Sequence, residues 1–160
     1  MADQYSIADL ESYISRFYQG RPLLITPYAY NLTYTASQLA AGATFSQVIN
    51  IAANADFVAT GFHYRSFAAT ATNQTNATED QPFLRILVTD SGSNEQFTNS
   101  AIDITNYATG QNFKQPLPYP RIVSGRSSLT VQLTNYSSNT AYGIDVSIEG
   151  VLVRAYAQQQ

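Results

Sequence analysis

Apolar and polar residues alternate in short runs along most of the chain, and only the N-terminal segment has helical spacing. Between Ser6 and about Tyr18, the apolar residues that fall on one helical face are Ile7, Leu10, Ile14 and Phe17. Ser6 is suited to cap this helix, and Gly20 with Pro22 ends it. A helix this short is marginally stable alone, so we expect it to dock on its own domain or on a partner.

Beyond Leu23 the pattern is that of strands separated by Gly, Pro, Asn and Ser. We expect strands near residues 23–34, 44–51, 56–68, 83–90, 100–106, 121–124, 127–135 and 140–154. In the last two, apolar residues alternate with polar ones, which indicates one buried and one solvated face. At Gly150 the apolar positions change parity, which predicts a bulge or a bend.

These elements predict an all-β protein, a jelly-roll-like antiparallel β-sandwich with a short N-terminal α-helical arm. The arm covers residues 1–21 and the sandwich covers residues 22–160. Residues 68–81 are rich in Ala, Thr and Asn, and we expect a long loop there. The turn between the last two strands is placed at residues 135–140.

The predicted strand from Phe83 to Val88 is apolar on both faces except at Arg85. Such a strand is either central in its sheet or covered by a partner subunit, so we expect both of its faces to be covered. A contact between subunits at Phe83, Arg85 and Leu87 is therefore a hypothesis.

Composition narrows the choice of function. The 160 residues include no cysteine, which excludes disulfides, thiolate zinc sites and cysteine nucleophiles. A net charge of −3 and scattered arginines argue against a nucleic-acid partner. No apolar run approaches the roughly 18 residues of a membrane-spanning helix, and no secretory signal is visible, so we expect synthesis in the cytoplasm and no membrane contact.

Candidate catalytic residues have simpler interpretations. The one histidine, His63, lies between two aromatic residues in a predicted strand and is interpreted as packed rather than catalytic. Asp145 and Glu149 lie on the solvated face of one strand, where solvation explains them better than a glycosidase pair does. The run from Asp90 to Glu95 favours a turn over a calcium loop. We therefore expect no enzyme, no metal site and no cofactor.

Five segments between Leu39 and Val153 carry a resemblance to a known family. They are residues 54–57 opening a strand, residues 83–90 ending in an acidic turn, residues 118–122 with two prolines, Gly125 followed by Leu129, Val131, Leu133 and Asn135, and residues 144–150. In this pattern the chain resembles a β-sandwich family of tailed-bacteriophage virion proteins, which includes capsid cement or decoration proteins and related auxiliary head proteins.

The resemblance implies a structural role without catalytic residues. It implies a homo-oligomer, a trimer, on the outer surface of the virion, seated on the major capsid protein. We expect the helical arm to reach the shell or a neighbouring subunit, or else to pack on its own sandwich, through Tyr5, Ile7, Leu10, Tyr13, Ile14, Phe17 and Tyr18.

Two alternatives remain open at this point. The same fold suits a head-to-tail connector or a tail component of the virion. The many tyrosines also suit a carbohydrate-binding module for host adhesion, although the chain lacks Trp, the strongest platform for sugars.

Overall fold

The computed structural model describes residues 6–69, 81–108 and 116–156. The protein is mostly β, with two antiparallel sheets and a short N-terminal helix. The loop predicted at residues 68–81 lies mainly outside the described residues, as does Tyr5.

Helix α1 spans Ile7–Phe17 and begins as predicted, because the Asp9 backbone N–H donates to the Ser6 Oγ at 3.1 Å. It ends at Tyr18, where the chain turns into the left-handed region at Gln19 and Gly20, with φ angles of 57° and 71°. The Gly20 N–H donates to the Ser15 carbonyl at 2.9 Å and closes the last turn. The predicted start and end of this helix are confirmed.

The remaining elements follow in chain order: β1 Leu23–Tyr34, β2 Thr44–Asn50, β3 Asp56–Ala69, β4 Leu84–Asp90, β5 Glu95–Gln96, β6 Ile102–Asp103, α2 Ile104–Tyr107, β7 Pro116–Val123, β8 Ser128–Asn135 and β9 Ala141–Ala155. The first sheet has the order β1-β9-β3-β7. The second has the order β2-β8-β4-β5, and β6 also pairs with β4.

Seven of the eight predicted strands coincide with observed ones, although β7 begins earlier than expected. The prediction of a strand over residues 100–106 is wrong, because only Ile102–Asp103 is extended and the chain then enters α2. The Asp103 carboxylate explains this change, since it accepts hydrogen bonds from the Thr105 backbone N–H at 2.9 Å and from the Thr105 hydroxyl at 2.6 Å. Asp103 thereby caps α2.

The two sheets enclose one apolar core to which both contribute buried side chains. Along β8 the burial alternates strictly, with Leu129, Val131 and Leu133 inside. The buried Tyr34 hydroxyl on β1 donates to the Val131 carbonyl at 2.7 Å and so joins the two sheets. The predicted turn after β8 is present, and the fully buried Asn135 closes it by donating to the Thr140 carbonyl at 2.7 Å.

A bulge or bend was predicted at Gly150, and the ladder between β9 and β3 is irregular opposite this residue. The change of parity itself has a second cause. Leu152 continues the inward face of β9, whereas Val151 and Val153 pack on the outside of the sheet beneath α1. Both faces of β9 are therefore buried here, and the register irregularity lies in the neighbouring strand, between Ala59 and Gly61 of β3. Gly150 is required by close approach, because a Cβ there would lie 2.1 Å from the Val58 carbonyl oxygen.

Strand β4 is hydrogen-bonded on both sides, by β8 and by the short strands β5 and β6. Its inward residues Leu84, Ile86 and Val88 are fully buried. On the outward face Arg85 is exposed and Leu87 is partly exposed. The strand is therefore central in its sheet, as one of the two alternatives predicted. Its outward face is not covered within one chain, so cover by a partner subunit stays a prediction.

Candidate interaction surfaces

Helix α1 lies on the outside of the first sheet, on its own sandwich. Ile14 is completely buried there and packs with Val58 of β3 and with Val151 and Val153 of β9. Leu10 and Tyr18 are partly buried in the same cluster. The sequence left open whether the helix docks on its own domain or on a partner. In the structure, the helix face that carries Leu10, Ile14 and Tyr18 packs on its own domain.

Tyr18 is anchored by a second kind of contact. Its hydroxyl donates a hydrogen bond to the Asp56 carboxylate at the start of β3. Burial, together with this hydrogen bond and the negative charge of Asp56, raises the pKa of Tyr18 above its ordinary value. Tyr18 therefore stays neutral across the physiological range and acts as a hydrogen-bond donor.

Other arm residues of the sequence prediction remain accessible. Ile7 and Phe17 are exposed by 77% and 60%, and Tyr13 by 37%. Tyr119 of β7 is exposed by 78% and lines a cleft together with Tyr13 and Phe17. We call Ile7, Tyr13, Phe17 and Tyr119 the helix surface.

The cleft beside the helix surface has a volume of about 390 Å³ and a polar wall. Asp90 ends β4 and accepts hydrogen bonds from the Gly92 N–H and the Ser93 hydroxyl, both at 2.8 Å, which forms the turn predicted from this run. Arg121 lies 4.6 Å from the centre of the Phe97 ring and 3.8 Å from the Glu95 carboxylate. Aromatic and charged groups thus share one concave site.

Tyr119 is not among the site residues predicted from the sequence. A signal was present, because proline cannot donate to a sheet ladder and is confined to edge strands. The prolines at 116, 118 and 120 place β7 at the edge of the first sheet, as observed. A tyrosine between two of them is therefore expected to be accessible.

A second group of exposed side chains covers the outside of the second sheet. Phe83 and Tyr136 meet edge to face with ring centres 5.6 Å apart, and the Arg85 guanidinium lies 4.9 Å from the centre of the Tyr136 ring. Leu87 continues this row along β4, and Val48 of β2 is 54% exposed. We call Val48, Phe83, Arg85, Leu87 and Tyr136 the sheet surface; it includes the three residues predicted to form a subunit contact.

Tyr136 of the sheet surface is held in place by an ionisable residue, Asp103. The Tyr136 hydroxyl donates to the Asp103 carboxylate, and this hydrogen bond raises the pKa of Tyr136. Burial by itself would raise the pKa of Asp103, but the hydrogen bonds from Thr105 and Tyr136 and the charge of Arg85 together lower it below 3.8. Asp103 is therefore ionised at neutral pH and orients Tyr136.

The residues considered for catalysis lie elsewhere, on the outside of the first sheet. The His63 Nε2 is 3.2 Å from the Glu149 carboxylate, across neighbouring strands. Asp145 accepts a hydrogen bond from the Thr33 hydroxyl at 2.7 Å. Asp145 and Glu149 are four residues apart along one strand, so their Cα atoms are about 13 Å apart, whereas the carboxyl groups of a glycosidase pair are roughly 5–9.5 Å apart.

Comparison with known proteins gives no match to a family model, to a curated protein or to a solved structure. Within the described ranges, no three His, Asp or Glu side chains are grouped so that they could hold a metal ion. The helices described in the structure are too short or too polar to cross a membrane. Function must therefore be inferred from the fold and its two surfaces.

Proposed function

We propose that the protein is a structural virion component, a capsid cement or decoration protein that binds and stabilises the lattice of the major capsid protein. The resemblance of the sequence to auxiliary head proteins supports this role. The observation that carries it is that exposed apolar side chains occupy opposite faces of the sandwich. A cement protein that acts as an oligomer needs two such faces, one for its own copies and one for the shell.

In this proposal the sheet surface forms the subunit contact of a closed homo-oligomer, a trimer, and the sandwich has the jelly-roll topology of the family it resembles. Tyr, Phe and Arg are enriched among the residues that dominate binding energy. Tyr136 is already oriented by Asp103, and Arg85 lies over its ring, which reduces the entropy lost on association. The neighbouring outward residues of β2 and β8 are uncharged Thr, Ser, Asn, Gln and Val, so copies can approach without opposing like charges.

The helix surface then contacts the shell. Ile7 and Phe17 project from a helix that Ile14 holds on the sandwich, so they are presented on a fixed support. Each contact is small, but a protein bound at many equivalent lattice positions as an oligomer gains avidity. Modest affinity at one site is sufficient for such a role.

Two sets of substitutions test the roles of the two surfaces independently, one by capsid binding and one by oligomeric state. We expect the double variant Phe17→Ser with Tyr119→Ser to bind purified capsids lacking the protein at least about tenfold more weakly, with unchanged oligomeric state. Leu87→Glu should instead dissociate the oligomer, as measured by light scattering, because it buries a carboxylate in the contact. Tyr156→Ser, at an exposed tyrosine outside both surfaces, is the matched control and should change neither property.

Wild-type capsid binding by the double variant, or an unchanged oligomer in Leu87→Glu, would contradict the assignment of that surface. A monomeric wild-type protein that fails to bind capsids would contradict the proposed function as a whole.

The cleft supports one alternative, a sugar-binding module for host adhesion. Its volume of about 390 Å³ is in the range of small-molecule sites, and it combines Tyr13 and Tyr119 with the carboxylate of Glu95. Aromatic rings stack on sugar rings, and carboxylates accept hydrogen bonds from sugar hydroxyls. Binding of soluble glycans by the isolated protein, lost in Tyr119→Ser, would favour this function over a cement role.

A further inference from the structure

Three arginines that are distant in the sequence line one cleft of the sandwich. The cleft has a volume of about 400 Å³ and is lined by Arg21 before β1, Arg126 in the turn between β7 and β8, and Arg154 near the end of β9. The whole chain has eight Lys and Arg residues and a net charge of −3. Gathering three of the eight in one cleft creates a local positive site on an acidic protein.

The one carboxylate in this cleft does not neutralise the arginines. Asp56 accepts hydrogen bonds from the Gly125 N–H at 2.7 Å and from the Tyr18 hydroxyl. In the part of the chain that the structure describes, none of the three arginines forms an ion pair with a carboxylate. Three arginines therefore line the cleft with one carboxylate, whose two oxygens both accept hydrogen bonds from neutral donors.

Arg154 adds an independent observation, a buried donor that no protein group satisfies. Its Nε–H is buried and has no hydrogen-bond partner. A buried donor without a partner is costly, and a guanidinium makes its strongest hydrogen bonds with planar or tetrahedral oxyanions. An anion in the cleft would supply the acceptor that this donor lacks.

Arg126 is held in a conformation that arginine seldom adopts. Its φ angle is 67°, in the left-handed region, where a side chain with a Cβ costs about 1 kcal/mol and Gly or Asn is favoured. Such strain at a turn is typical of positions where the side chain has a role. The turn places Arg126 in the lining of the same cleft as Arg21 and Arg154.

We propose that this cleft is an oxyanion-binding site that holds one carboxylate or phosphate group between Arg21, Arg126 and Arg154. A long polyanion such as nucleic acid fits less well, since the chain is acidic overall and the basic residues are confined to a compact cleft. The site does not depend on the proposed cement role, because it is formed by residues of neither the helix surface nor the sheet surface.

The test is a titration of the full chain with inorganic phosphate and, separately, with a short acetylated peptide of Asp and Glu, followed by nuclear magnetic resonance. We expect saturable shifts that include the Arg154 Nε–H signal, weakened by added sodium chloride. The ligand that binds more tightly identifies the source of the oxyanion. Absence of saturable binding by both ligands would overturn the proposal.

Arg126→Asn separates binding from folding. Asparagine tolerates the left-handed conformation, so this variant should melt no lower than the wild type while it binds at least about tenfold more weakly. Arg16→Gln, at an exposed arginine of α1 that does not line the cleft, is the matched control and should bind as the wild type does. Equal binding by wild type and Arg126→Asn, or equal weakening by the control, would contradict the site.

Discussion

Replacing Ile14 by alanine tests most sharply how α1 is held. The side chain is 0% exposed and packs on Val58, Val151 and Val153. Removing a buried isoleucine side chain to Ala costs about 2–5 kcal/mol, through lost transfer free energy and the cavity that remains. Because an 11-residue helix is unstable alone, the lost contact should also loosen the helix from the sheet.

For a chain of this size, 1 kcal/mol corresponds to roughly 2–4 °C in melting temperature, so we expect Ile14→Ala to melt about 5–15 °C lower. The matched control is Ile7→Ala, the same change on the same helix at a side chain exposed by 77%. That variant should stay within about 0.5 kcal/mol of the wild type. Calorimetry measures the shift, and amide hydrogen exchange shows whether the helix is released.

Equal melting temperatures for Ile14→Ala and Ile7→Ala, with unchanged hydrogen exchange in the helix, would refute this reasoning. The helix would then not be held by its apolar face, and the interpretation of the whole segment as a free docking arm would be favoured.

Three further substitutions test the packing and the electrostatics. Asn135→Asp should lower the unfolding free energy by about 3–5 kcal/mol in denaturant titrations, since a buried carboxylate would replace an amide that donates to two backbone carbonyls. Gly150→Ala should cost at least about 3 kcal/mol by the same measurement, because the new Cβ would meet the Val58 carbonyl at 2.1 Å. Asp103→Asn should be less stable than the wild type at neutral pH. The pKa of Asp103 is lowered by folding, so its stabilisation is complete above 3.8 and is lost as the pH falls through the lower folded-state value; the difference in melting temperature should shrink on acidification. A constant difference across the acid range would contradict the role of the Asp103 charge.

Local patterns were sufficient to predict the N-terminal helix and most of the strands. The Ser6 cap and the glycine after Tyr18 set the limits of α1, and strict alternation located β8, because these signals act over a few residues. At Asp103 a side-chain cap competes with strand propensity, and the cap forms α2. The parity change at Gly150 correctly located an irregularity, which lies opposite in β3. The burial of Val151 and Val153 under α1 was not predicted, because it is a long-range contact.

The surfaces were less predictable than the strands. Phe83, Arg85 and Leu87 share one face because strand geometry alternates side chains, so this group could be found from the sequence. The arginine cleft could not, since Arg21, Arg126 and Arg154 are brought together only when the ends of three elements meet in the folded sandwich. Arginines that are scattered in the sequence can therefore still form one site.

The most direct test of the proposed role is the copy number of the protein in purified virions, measured by quantitative mass spectrometry against the major capsid protein. A cement protein seated across the lattice predicts a ratio within a few-fold of unity, because each repeated shell position offers the same site. A handful of copies per particle would contradict the lattice-wide role and favour a connector or tail position, and absence from the particle would contradict a virion role altogether.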